Sequence, residues 1–202
     1  MRKFNVLLAC FVYSLLFLLS ACSESFTDAR DGQSYSVVQI GSQTWMAENL
    51  NFVLPGVNGA DGAYCPDGSE RNCKKMGRLY TWVEAQSVCP EGWRLPARED
   101  FDALVKVAGG SAAEGSGDAL KSTSGWFKKG NGSDAFGFEA LPAGYKRQDG
   151  KFDGIGGYAY FWSSSEDPDG ASYYLVLDFS SPAAKLNAFG KGEGRSVRCV
   201  KK

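Results

Sequence analysis

The chain has 202 residues, 22 Lys and Arg against 23 Asp and Glu, no histidine, and a formal net charge of -1. That is the length of one domain, and its basic pairs Lys74-Lys75, Lys128-Lys129 and Lys201-Lys202 are too scattered for a phosphate-tracking stripe, which argues against nucleic acid. The missing histidine excludes Ser-His and Cys-His nucleophiles and imidazole metal chemistry, while 25 glycines and 13% aromatic residues describe a loop-rich, ring-rich fold rather than a helical bundle.

Arg2 and Lys3 precede an apolar run from Phe4 to Leu19, broken only by Asn5 and Ser14, as in the n-region and h-region of a secretory signal. The run falls short of the roughly 18 to 20 residues a bilayer span needs. Leu19-Ser20-Ala21-Cys22 resembles the lipobox of bacterial lipoproteins, which implies removal of residues 1–21 and acylation of Cys22 at its sulfur and its new amino group. Several acyl chains, at ~0.8 kcal/mol per buried methylene, hold a protein on a membrane where one does not. Ser23 after the lipid cysteine, rather than aspartate, points by the same resemblance to the outer membrane. The polar stretch SESFTDARDGQ makes residues 22–33 a flexible tether, with a single domain over 34–202.

In the domain, YSVVQI and QTWMAENL flank Gly41-Ser42 and predict an opening hairpin with a type II′ turn over 35–50. Glycines and prolines predict an irregular loop over 51–75. Leu79, Trp82 and Val83 at i, i+3, i+4 predict a first helix ending near Val88. A second is predicted over 96–109, with Pro96 at its start, Glu99 and Asp100 in its first turn, and Phe101, Leu104, Val105 and Ala108 as its buried stripe. A short helical turn is expected at Asp118 to Ser122. The last third reads as short strands: FGFEALPAGYK, YAYFWSSSE, ASYYLVLDF, AKLNAFG and GRSVRCVKK. Helices in the first half and strands at both ends make an α+β domain.

Of the six cysteines, Cys10 leaves with the leader and Cys22 takes lipid. An exported chain then holds Cys65, Cys73, Cys89 and Cys199 as two disulfides, with three pairings open to sequence alone. Cys65 and Cys73 bracket the flexible PDGSERN, which favours a local bridge between them and leaves Cys89 for Cys199. On the loop-entropy model the two bridges contribute about 2.5 and 4.7 kcal/mol. Zinc is disfavoured, since there is no C-x-x-C pair.

Seven ordered blocks, IGSQTWMAENL, GRLYTW, CPEGWRLP, ALKSTSGW, FGFEALPAGY, YFWSSSE and SVRCVKK, resemble the Fibrobacter succinogenes major paralogous domain family. That resemblance implies a C-type lectin-like fold: two helices flanking a small antiparallel sheet, long irregular loops, and a long-range bridge like Cys89–Cys199. It implies surface display and supplies no ligand.

Two constellations are candidates for binding. Tyr145, Tyr158, Tyr160 and Tyr174, with Tyr173 and Trp162 nearby in sequence, offer rings with polar handles for a glycan or a protein partner, Trp162 being the one expected to be buried. Glu166, Asp167 and Asp169 form a weak calcium candidate set against the turn composition of E-D-P-D-G; the E-P-N or Q-P-D and W-N-D motifs of calcium-dependent lectins are missing. No other cofactor is expected. The carboxylate pairs Glu99-Asp100 and Glu166-Asp167, and a formylglycine-generating type of chemistry that would need a spare thiol, make an enzyme the lesser expectation. The reading is a lipid-anchored, non-catalytic surface module binding glycan through its C-terminal loop region, the alternative being a protein-interaction or envelope scaffold module.

Overall fold

A computed structural model describes residues 24–54, 62–110 and 115–202. The expected leader and the lipid cysteine Cys22 lie outside these residues, and no helix among the described residues is long and apolar enough to cross a membrane. The segment expected to be a tether is built into the fold almost from its start. Ser25–Thr27 (β1) pairs antiparallel with Ser34–Ile40 (β2). Between them Asp28, fully buried, receives a fork of hydrogen bonds from Arg30, whose guanidinium lies 3.8 Å from the centre of the Phe52 ring.

The predicted hairpin forms between β2 and Gln43–Met46 (β3), with Gly41 at φ 60° and Ser42 outside the left-handed region, as a II′ turn requires. The next stretch is less irregular than predicted. It holds Ala63–Tyr64 (β4) and the helix Glu70–Met76 (α1). The expected helix from Gly77 to Val88 is mostly replaced by Leu79–Tyr80 (β5), leaving one turn at Trp82–Ala85 (α2). The reason is backbone geometry at Gly77: its φ is 73°, and a Cβ there would stand 2.8 Å from the Asn49 carbonyl and 2.9 Å from that of Leu50. A chain wedged there cannot open a helix, and Leu79 and Tyr80, both fully buried, are burial on two faces of a strand.

Trp93–Arg94 (β6) precedes Arg98–Val107 (α3), the helix predicted over 96–109, with Phe101 and Leu104 buried. Ser116–Leu120 (α4) matches the expected short turn. Ala143–Lys146 (β7), Phe152–Ile155 (β8), Tyr158–Glu166 (β9), Ser172–Asp178 (β10), Ala184–Phe189 (β11), Arg195–Ser196 (β12) and Val200–Lys201 (β13) complete the chain.

The architecture is therefore mostly β, with thirteen strands and four short helices among the described residues. The expected α+β, C-type lectin-like arrangement of two helices flanking a small sheet is not what the chain adopts. Two curled sheets dominate, ordered β1-β2-β3-β13-β6 and β11-β10-β9-β12-β5-β4, with β7 bridging β8 and β9. Period-2 burial on both sheets explains the packing: Trp45 and Phe161 enter one core with Phe101, Leu104 and Phe138, while their chain neighbours Met46 and Trp162 enter another with Tyr80 and Trp93. Both cores draw from both sheets, so the sheets are one domain.

Disulfides join Cys65 to Cys73 and Cys89 to Cys199, the pairing that spacing favoured. The second ties the chain between α2 and β6 to the residue before β13.

Candidate functional site

The alternation of YAYFWSSSE separates the two faces of β9. Ala159 and Phe161 point into the core with their partners Leu177 and Leu175, whereas Tyr158, Tyr160 and Trp162 lie opposite Asp178, Val176 and Tyr174 on the other face. β7 joins this face in parallel, with Gly144 opposite Ala159. Only glycine fits there: its φ is 66°, and a Cβ would stand 2.3 Å from the Asp153 carbonyl. The close approach brings Tyr145 to Tyr160, ring centroids 5.2 Å apart and edge-on. Tyr158 stacks on Tyr160 at 5.6 Å, and Tyr174 meets Tyr160 edge-on at 5.8 Å. The four tyrosines singled out in the sequence thus form one connected, half-buried array. Desolvation in it pushes the Tyr160 hydroxyl well above its ordinary pKa, and that of Tyr145 upward to a lesser degree.

Three further residues complete the site, and the sequence reading missed them. Phe189, 57% exposed, ends β11 opposite Ser172. Arg195 of β12, between β9 and β5, lies beneath the rings, its guanidinium carbon 3.7 Å from the Tyr174 centroid and 4.2 Å from that of Trp162. Glu193 forms an ion pair with it. Two adjoining depressions of about 220 and 440 Å³ share Tyr145, Phe189 and Glu193; the smaller is floored by Arg195 and walled by Tyr160 and Tyr174, the larger is edged by Arg147, Gln148 and Asp149. Together they make one open groove with flat apolar faces and planar polar groups, the composition of a small-ligand site. Phe189 was readable as an alternating strand residue; nothing local marks Glu193 or Arg195.

Other expected residues are placed elsewhere. Trp162 is fully buried, as expected, and donates from Nε1 to the Tyr80 carbonyl at 2.8 Å. Tyr173 turns away to accept a hydrogen bond from Arg98. Glu166, Asp167 and Asp169 do not gather round a point. Glu166 pairs with Lys191 at 2.7 Å, and Asp167 Oδ1 accepts the backbone N–H groups of Asp169 and Ala171, closing the turn. Among the described residues the one cluster of three such ligand atoms is Cys65, Glu70 and Cys73, whose two sulfurs are bonded to each other. Asp100 binds Arg94, Gln43 and the Ala97 N–H, a structural use.

A second, polar cleft of about 190 Å³ lies between Tyr35, Asn49, Lys75 and Glu139. Its single ring is turned inward, the Tyr35 hydroxyl accepting the Asn51 N–H at 3.1 Å, so it offers no flat face to a ligand.

No curated protein and no solved structure matches the chain. A family model described as the Fibrobacter succinogenes major domain matches residues 38–201, from inside β2 to the end of β13. The match leaves out β1 and the start of β2 but takes in the rest of both sheets, both disulfides and every residue of the groove, and the chain belongs to the Fibrobacter succinogenes major domain family.

Proposed function

We propose that this protein is a non-catalytic recognition module of the cell envelope, held there by a lipidated Cys22, and that it binds glycan along the Tyr145–Tyr160–Tyr174–Phe189 groove. The observation that carries this reading is the connected aromatic face that Tyr145 of β7, Tyr160 of β9, Tyr174 of β10 and Phe189 of β11 present to the groove. Sugar rings present alternating C–H faces and hydroxyl edges, which complement flat aromatic surfaces bordered by guanidinium and carboxylate groups. Support for binding rather than catalysis comes from the chain's lack of histidine and from the disulfides that take up the four cysteines of the domain. The anchor has a geometric corollary. β1 begins three residues after Cys22, so a lipid there would hold the domain within about 10 Å of the bilayer.

The test is affinity electrophoresis and calorimetry of the protein against a panel of soluble and insoluble polysaccharides. Binding is expected to weaken at least tenfold in Tyr145→Ala and in Tyr160→Ala, the latter also lowering Tm because its ring packs against three others. No binding across the panel, or binding that both variants retain, rejects the groove as a glycan site. Cys22→Ser is expected to move the protein from the membrane to the soluble fraction.

A second reading, a protein-interaction module, has its own support in β11, an outer strand of its sheet that ends in the exposed Phe189. In that case envelope extracts would yield a partner whose capture is lost in Phe189→Ser and unaffected by polysaccharide.

A further inference from the structure

The floor of the groove holds a cation with donors unmet. Arg195 is only 3% exposed, and its Nη2 is paired with Glu193, yet Nε and Nη1 are buried with no hydrogen-bond acceptor among the described residues. The faces of Tyr174 and Trp162 attract the charge, but a ring face accepts nothing in the plane of the guanidinium. A buried donor left unmade costs more than an ordinary hydrogen bond contributes. Burial accordingly pulls the Arg195 pKa down, against the opposing pull of Glu193. The five donors of a guanidinium form a rigid fork that fits a carboxylate with two parallel bonds. Glu193 supplies only part of that complement. It is the residue between Gly192 and Gly194 on the turn from β11 to β12, its side chain 13% exposed, and it lines both depressions of the groove. Lys191 secures the base of the same turn, 2.7 Å from Glu166 and 4.3 Å from the centre of the Trp82 ring.

We infer that the groove takes an acidic polysaccharide, one built on uronic acids, whose carboxylate pairs with Arg195 in place of Glu193, so that Glu193 is an internal stand-in for the ligand. This rests on the glycan reading of the groove and names its substrate class. A carboxylate on a pyranose ring brings the charge and the flat apolar face together, matching Arg195 beneath and Tyr145, Tyr160 and Phe189 beside it. The exchange keeps a carboxylate on the buried cation throughout and releases Glu193 to water, where its own charge is solvated. Arg147, half-exposed in the adjoining depression and 3.5 Å from Asp149, is a second cation along the path of such a chain.

The experiment titrates the full-length, detergent-solubilised protein with polygalacturonate and alginate, and with the carboxyl-reduced form of each, by calorimetry at low and moderate salt. Wild type is expected to bind at least one acidic polymer about tenfold or more tighter than its reduced form. Glu193→Gln, which removes the competing charge, is expected to tighten acidic binding about tenfold and so to widen the preference for the acidic over the reduced polymer. Arg195→Lys, which keeps charge and loses the fork, is expected to abolish the preference. Equal affinity for acidic and reduced polymers, or weaker acidic binding by Glu193→Gln at unchanged Tm, overturns the acidic-sugar inference and leaves a neutral-glycan groove standing. Binding of no polymer, with or without binding of an acidic peptide, overturns the glycan reading as well.

Discussion

Arg198 shows how much a single buried polar residue can settle. It is fully buried with no carboxylate in contact among the described residues, and burial pulls its guanidinium pKa down to about 9. Its donors go instead to Asn49 Oδ1 and to the carbonyls of Phe138 and Glu139, with the Phe138 ring 4.5 Å from the guanidinium carbon. Asn49 in turn donates from Nδ2 to the Met76 carbonyl at 2.8 Å. One arginine therefore holds together the end of the hairpin, the end of α1 and the chain before β7. Asn49→Ala deletes two of the charge-assisted bonds and exposes nothing to water in exchange, so a loss of about 3 kcal/mol is expected from urea unfolding; a loss under 1 kcal/mol would show that the guanidinium is satisfied without it. None of this was legible in SVRCVKK, where Arg198 reads as one more basic residue near the terminus. Its burial follows from which strands meet there, and that is a long-range matter.

Among the elements, α3 and β9 were the most legible because each carries an uninterrupted period. α3 also shows what a sequence pattern leaves out. Asp100 was read as a first-turn acid near a helix N-terminus, and it does accept the Ala97 N–H. It also pairs with Arg94 of β6 and accepts from Gln43 of β3, so one carboxylate fixes the helix against a sheet. Partial burial opposes its ionisation, but these hydrogen bonds prevail and hold its pKa below the usual carboxylate value. A group depressed in the folded state adds stability that is complete above the unfolded pKa of about 3.9 and vanishes as pH falls through the folded value. Asp100→Asn should therefore lower Tm at pH 7 and converge on wild type in strong acid. A constant difference in Tm from pH 7 down to pH 2 would refute it. The first predicted helix failed for the opposite reason. Leu79, Trp82 and Val83 have helical spacing, yet the left-handed Gly77 and the demand of β4 and β12 for a pairing partner made β5 of that segment. Short apolar runs do not declare their period, and tertiary pairing decides it.

Across the whole molecule, the two disulfides make a graded prediction. Their loops differ in sequence separation, 8 against 110 residues, so removing Cys89–Cys199 should cost about 4.7 kcal/mol and removing Cys65–Cys73 about 2.5 on the same entropic model. Double serine variants compared by urea unfolding test this, and a larger loss for the Cys65–Cys73 pair would contradict it. The long bridge acts at the junction of the sheets: Cys199 is fully buried in the core that also holds Trp162 and Trp93, and its carbonyl accepts the Met46 N–H at 3.0 Å.

The amino-acid order alone favoured the local Cys65–Cys73 bridge and determined the hairpin with its Gly41-Ser42 turn, the α3 helix, the strands β9 to β11 and the family, because each depends on spacing within a few residues or on ordered blocks of them. Only the tertiary structure decided that the fold is two curled sheets sharing two cores, that the segment after residue 24 is a strand, and that Arg195 and Glu193 lie beneath Tyr145, Tyr160 and Tyr174. Strand pairing brings together residues dozens of positions apart. Which ring ends up over which charge is set by register and closure of the sheets, quantities that no local pattern contains.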